Sequence, residues 1–174
     1  MYLFTIRKIL TTFMLVIIII SGVSMTKGYC GDRYIVAIKD QFFINYIDTS
    51  SIKAFIDLNN ELAILDVWAK YKVTNEGIKP EIQFRKSLKA SIQGYQNLDY
   101  KAVHWRFYLG NDGIAYRELL EETDYSQTGD ILDSYTPQRI KKRIQNEVEN
   151  AIFHKSYQYV LDNKLFEELP ADFK

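Results

Sequence analysis

The stretch that most limits what this chain can fold into is AVHWRFYLGNDGIAYRELL, Ala102 to Leu120. Val103, Trp105, Phe107 and Leu109 alternate with His104, Arg106 and Tyr108. A period of two means a strand with one face buried and the other wet. Asn111-Asp112-Gly113 then supplies the positive-φ residues of a tight hairpin. Any fold for this chain must contain an antiparallel sheet built around that hairpin.

Other segments extend the sheet. DRYIVAIKD (Asp32 to Asp40) and FFINYID (Phe42 to Asp48) read as the first two strands. In ELAILDVWAKYKV (Glu61 to Val73), Ala63, Leu65, Val67, Ala69, Tyr71 and Val73 share one face. Leu62, Ile64, Asp66, Trp68, Lys70 and Lys72 share the other. DLNNE (Asp57 to Glu61) is a polar turn before it. NYIDTSSIKAF, Asn45 to Phe55, reads as a corner between strands: Asp48 accepts NH groups of Ser50 or Ser51, Ile52 tucks toward the core, and Ala54 to Ile56 begin the return. Asp48, Ser51 and Ile52 are therefore expected to be structural. NEGIKPEIQFRK (Asn75 to Lys86), with Gly77 and Pro80, reads as a loop or a ragged sheet edge. SLKASIQGYQNL (Ser87 to Leu98) reads as a strand with Leu88, Ala90, Ile92 and Gly94 on one side.

The period changes after an acidic, polar bridge from Glu121 to Ser134. Thr136 as cap and Pro137 at the first turn open an expected helix, with Ile140, Ile144, Val148, Ala151 and Ile152 as its apolar stripe. The stripe extends through Tyr159, with a break near Asp162-Asn163, and Leu165, Phe166 and Leu169 form a last docking patch. Strands first and helix last define an α+β class: an antiparallel β-meander sheet with a long C-terminal α-helix packed on it.

The N-terminus sets the compartment. Arg7 and Lys8 precede the apolar run Ile9 to Ile20, and SGVSMTKG follows. Basic, apolar and small segments in that order mark an export signal, with cleavage after Ser24 or Gly28. A retained anchor is the rival reading, although Ile9 to Val23 falls short of the roughly 20 residues that span a bilayer. Residues 1–30 are thus a signal or anchor, and 31–174 one domain in the periplasm or at the cell surface. Membrane contact is expected only through the uncleaved segment. Removing residues 1–30 takes away Arg7, Lys8 and Lys27 and no acid, leaving 22 acidic and 19 basic residues, a net charge of −3. Such a domain gives no reason to expect nucleic acid as partner. The single Cys, Cys30, sits where the signal ends, so the domain has no internal disulfide and depends on apolar burial.

Catalytic motifs are missing: no phosphate-binding glycine loop, no H-E-x-x-H, no G-x-S-x-G and no C-x-x-C. No catalytic residue, cofactor or metal ligand is therefore assigned. DYSQTGD (Asp124 to Asp130) has the first half of a calcium loop, but Tyr135 stands where the bidentate Glu belongs, so a plain turn is expected. RIKKRIQ (Arg139 to Gln145) reads as the solvated side of the helix. His104, Arg106 and Tyr108 share a polar strand face and form the candidate ligand-contact face; a hydrolase using His104 is the enzymatic alternative. His154 falls late in the helix, where a cation suits the dipole. Tyr34, Tyr46, Trp68, Tyr95, Tyr100, Tyr108 and Tyr116 are the pool from which exposed aromatics would come, most being expected in core or rim packing. Three or more gathered on one open patch would mark a partner site.

Read in order, NYIDTSSIK, LAILDVWAKY, SLKASIQGYQNLDYKAVHWRFYLGNDGIAY and SYTPQRI resemble small exported bacterial domains of the surface-adhesin protein E type. The resemblance covers roughly residues 32–153. It implies a non-enzymatic, periplasmic or surface-exposed binding domain, adhesin-like, whose partner is a protein or envelope ligand. The Cys pair usual in that family has no counterpart around Gly94-Tyr95 or Ile152-Phe153.

Overall fold

The computed structural model describes residues 33–170; the export or anchor segment and Cys30 lie outside them. Within them the class is mixed α+β. Strands β1 (Tyr34–Lys39), β2 (Phe43–Asp48), β3 (Lys53–Asp57), β4 (Leu62–Val73), β5 (Leu98–Gly110), β6 (Ala115–Ser126), β7 (Ile131–Tyr135), β8 (Lys142–Arg143) and β9 (Phe166–Glu168) form one sheet. Helix α1 (Asn75–Ser87) follows β4, and α2 (Glu147–Asn163) lies between β8 and β9.

Three long strands, β4, β5 and β6, carry the sheet, each paired antiparallel with the next. The β5–β6 hairpin turns at Asn111 to Gly113, where Gly113 has φ 74°. One edge of β4 is taken by two short strands in tandem: β3 pairs with Leu62 to Asp66, and β2 with Ala69 to Val73. The far edge of β6 is likewise shared by β7 and β8. Every pairing is antiparallel except β9 on β3.

The alternating apolar residues of the long strands point to one side. Leu65, Val67, Val103 and Phe107 are fully buried there, and α2 adds Ile152, Phe153, Tyr157 and Val160. The Phe107 and Phe153 rings meet at 5.6 Å. At the other end of this face a smaller cluster of Val73, Tyr95 and Leu98 receives Ile78 and Ile82 from α1.

Several expectations are corrected. Asn75 to Lys86 is not a loop: Thr74 caps α1, its hydroxyl accepting from the Gly77 N–H at 3.2 Å. Gly77 is glycine because a Cβ there would lie 2.3 Å from the Phe42 carbonyl oxygen, so close packing rather than a turn explains it. Pro80 sits inside the helix and lacks one amide donor, a local loss offset by burial of Ile78 and Ile82. Ser87 to Leu98 is not a strand. The chain leaves α1 through Lys89 at φ 57° and reaches a short 3-10 turn, Tyr95–Asn97, with Leu88 and Ile92 exposed.

The polar stretch from Glu121 to Ser134 is not a bridge but strand–turn–strand. Its charges read as loop because their partners lie elsewhere in the chain: Glu122 meets Lys101, and Asp124 meets Tyr95. The expected helix start at Thr136 is also wrong. Residues 136–146 form no helix and include β8, and Asn146 is the true cap, accepting from the Glu149 N–H at 2.7 Å. Ile140 is consequently exposed, whereas Ile144 and Val148 still pack on the core. Nor is α2 the last element: after Lys164 at φ 55°, β9 lays Phe166 beside Ala54, so the tail docks as a parallel strand.

Candidate functional site

The corner at Asp48 is the local device that shapes the sheet edge. β2 and β3 both run antiparallel to β4, so the corner does not reverse the chain as the sequence suggests. A 3-10 turn, Thr49–Ser51, offsets one continuous line, and Val67 and Trp68 of β4 face the gap. Ser51 fills it. Its Oγ donates to the Asp48 carbonyl at 2.7 Å and accepts from the Trp68 N–H at 2.9 Å. A side-chain hydroxyl thus replaces the missing ladder acceptor. Asp48 Oδ1 accepts from the Ser50 N–H at 3.1 Å and the Ser50 hydroxyl at 2.6 Å, while Arg33 Nη2 donates to Oδ2 at 2.7 Å. Ile52 packs partly buried against the core.

Burial by itself would push the Asp48 carboxyl up, but hydrogen bonds from Arg33 and Ser50 outweigh it and hold it below the usual carboxylate range. A lowered folded value stabilises above the unfolded value near pH 4 and is lost as pH falls through the folded one. Asp48→Ala should therefore lower stability by about 1–2 kcal/mol at pH 7, the range of a lost cap. The gap from wild type should narrow as pH falls below about 4 in urea titrations. A pH-independent difference would contradict this account.

Beyond the corner lies the face opposite the helices. Register across the long strands sets its rungs: Asp66–Arg106–Glu118, Trp68–His104–Glu121, Lys70–Ala102–Thr123 and Lys72–Tyr100–Tyr125. Tyr34 and Asp48 join from β1 and β2, where they pair with each other. Along the lower rungs runs an open trough of about 420 Å³. Tyr34, Trp68, Tyr100 and Tyr125 wall it, Ala102 lies between the rings, and the corner residues Asp48, Ser50 and Ser51 close one side. Tyr100 and Tyr125 stack at 4.8 Å, and Trp68 stacks on His104 at 4.6 Å. The Lys70 ammonium stands 4.1 Å from the Tyr100 ring centre and 5.8 Å from that of Tyr34.

The face predicted from alternation, His104, Arg106 and Tyr108, is on this side, but its parts differ in role. Arg106 is committed to Asp66 through two bonds, Nε to Oδ1 at 2.7 Å and Nη2 to Oδ2 at 2.8 Å, both side chains being buried. Tyr108 donates to Glu118 at 2.8 Å, and burial with that carboxylate pushes its phenol up to about 12. The Lys141 ammonium lies over the Tyr108 and Tyr116 rings. His104 is half-buried against Trp68, and burial holds its imidazole below the usual range. Of the aromatic pool, Tyr34, Trp68 and Tyr100 gather at the trough, Tyr46 lies opposite Lys70, and Tyr95 is fully buried. Tyr125 was missed because it stood in the stretch read as a bridge.

The helix side holds a charged cluster beneath α1. Lys101 lies 2.7 Å from Glu81, 3.1 Å from Glu122 and 3.8 Å from Asp124. Arg85 reaches Asp133 at 2.5 Å and Asp124 at 3.5 Å. Burial pushes the Asp124 carboxyl up, against the pull of Lys101 and Tyr95. Asp124 is thus spent inside the protein, and the half-matched calcium loop is a hairpin turn closed by Ser126, Thr128 and Asp130. Among the described residues no group of three or more His, Cys, Asp or Glu could hold a metal ion, and no helix is long and apolar enough to cross a membrane. His154 in α2 is half-buried beside Phe153, and burial lowers its pKa.

Fold and site together define an α+β domain with helices against one sheet face and an aromatic trough on the other. No family model matches the chain, and neither a curated protein nor a solved structure does.

Proposed function

We propose that this chain is an exported, non-catalytic binding domain that presents the outer face of its sheet to an envelope or surface ligand. The observation that carries the reading is the gathering of four aromatic side chains from four strands along one open trough. Partly exposed rings on an open face carry an energetic cost unless a partner covers them. A non-catalytic role is favoured by the way polar groups on this face are used. Arg106 is bound to Asp66, Tyr108 to Glu118, and the His104 ring lies flat on an indole. An adhesin-like role is one form of this reading, and a retained N-terminal anchor would display the same face.

Two measurements test it. Intact mass of the protein from its native envelope fraction should place the start between Met25 and Asp32; Met1 retained in membranes would replace export by anchoring. Retention of the purified protein on isolated envelope material should fall for Tyr100→Ala and Lys70→Glu but not for Lys155→Glu, an exposed residue of α2. Loss with the helix variant and not with the face variants would overturn the reading.

A further inference from the structure

We propose that the trough binds an acidic glycan, a chain of sugar rings bearing carboxylates; this rests on the outer face being the ligand face. Three observations point to that chemistry. First, the walls are tyrosine and tryptophan rings, whose flat apolar faces match the C–H face of a pyranose while their OH and NH groups meet its hydroxyl edge. Trp68 stands on the His104 rung and Tyr100 four residues along β5. That separates the two aromatic contact points by roughly 13 Å, room for several sugar rings, and Ala102 lines the trough on the rung between them.

Second, the cations in the trough, Arg33 and Lys70, and beside it, Lys72, are unequal. Arg33 is bound to Asp48 and Lys72 to Asp99. Lys70, between the Tyr34 and Tyr100 rings, makes cation–π contacts and has no ion pair with a described carboxylate. The Tyr100 ring is flanked by Tyr125 and by that ammonium, so a sugar carboxylate reaching the rim of Tyr100 would meet Lys70 beside the aromatic wall.

Third, the charge is too small for the rival polymer. Nucleic acid also stacks on sheet-face aromatics, but its affinity depends on several cations meeting successive phosphates. One uncompensated lysine, in a domain of net charge −3 without residues 1–30, does not supply them. A single cation without an ion pair among four rings, the other being Arg33 held by Asp48, suits a polymer whose charges are spaced by whole sugar units.

The test titrates the full-length protein, by tryptophan fluorescence and calorimetry, with galacturonate and hyaluronan oligosaccharides, a neutral cello-oligosaccharide and single-stranded DNA. At least one acidic oligosaccharide should bind, and the neutral sugar about tenfold more weakly or worse. Tyr100→Ala and Trp68→Phe should weaken acidic-glycan binding. Lys70→Met should reduce it to the level of the neutral sugar, with an unchanged melting temperature showing that the fold is intact. Failure of every acidic oligosaccharide, equal binding of the neutral sugar, tighter binding of DNA, or indifference to Lys70→Met would each overturn the proposal. If these fail while the face variants still lose retention on envelope material, the ligand class is wrong and the binding face stands. If both fail, the reading of the face goes too.

Discussion

Lys101→Met should destabilise the fold by about 3–5 kcal/mol at pH 7, the range for removing one partner of a buried ion pair. The Lys101 ammonium is buried beside Glu81, Glu122 and Asp124, and Met would leave those carboxylates facing one another in a poorly hydrated site. Burial alone would lower the lysine pKa, but Glu122, Asp124 and Glu81 outweigh it and raise it. Its stabilisation is accordingly complete below the unfolded value near pH 10 and lost only as pH rises through the raised folded value. In the variant the signs belong to the carboxylates. Without Lys101 the Asp124 carboxyl, already pushed up by burial, loses the cation that pulls it down, so the penalty is full at neutral pH and relieved as acid protonates that group. Urea titrations should therefore show the defect shrinking toward pH 4, with Asp124 protonating early because burial already pushes it up. A defect that is equal at pH 7 and pH 4 would mean lost packing rather than uncompensated charge.

The second large effect is expected at the Asp66–Arg106 pair on the other face. Asp66→Ala should also cost about 3–5 kcal/mol, because the buried guanidinium keeps its charge at any accessible pH and loses both carboxylate bonds. The double replacement Asp66→Leu with Arg106→Met should restore most of the loss, since two apolar side chains need no partners. Thermal melts of the two single variants and the double variant give the coupling directly. If the double variant were as unstable as Asp66→Ala, packing and not desolvated charge would be the reason for the pair. Tryptophan fluorescence would report damage to the neighbouring trough, because Trp68 follows Asp66 on the same face of β4.

These two sites show how far a strand can be read from its own residues. Alternation around Val103 to Leu109 and Ala63 to Val73 correctly separated a core face from a polar face. It placed Arg106 on the right side, yet it could not show that Asp66, forty residues earlier, lies directly opposite. Polarity alone misled in the stretch from Glu121 to Ser134, because a strand whose charges are answered by Lys101 looks like a loop when that lysine is out of view. Gly77 and Pro80 misled in the same way: the close approach of the Phe42 carbonyl, not a turn, explains the glycine. At Asp48 the Ser50 contact was legible because a capping aspartate acts within its own turn. The role of Ser51 was not, because its second partner is the Trp68 N–H on another strand.

The sequence by itself determined the alternating segments around Ala63 to Val73 and Val103 to Leu109, their buried face and the hairpin at Asn111 to Gly113, since a period of two and a turn residue act over a few neighbouring positions. The direct pairing of β4 with β5 was hidden by the strand expected between them. Tertiary structure decided the direction of the chain through the Asp48 corner, the start of α2 at Asn146 and the helix over residues 75–87. It also decided the trough. Tyr34, Trp68, Tyr100 and Tyr125 are scattered over some ninety positions, and only cross-strand register brings them to one face. Register depends on hydrogen bonds and packing between distant segments, so no single stretch of the chain contains it.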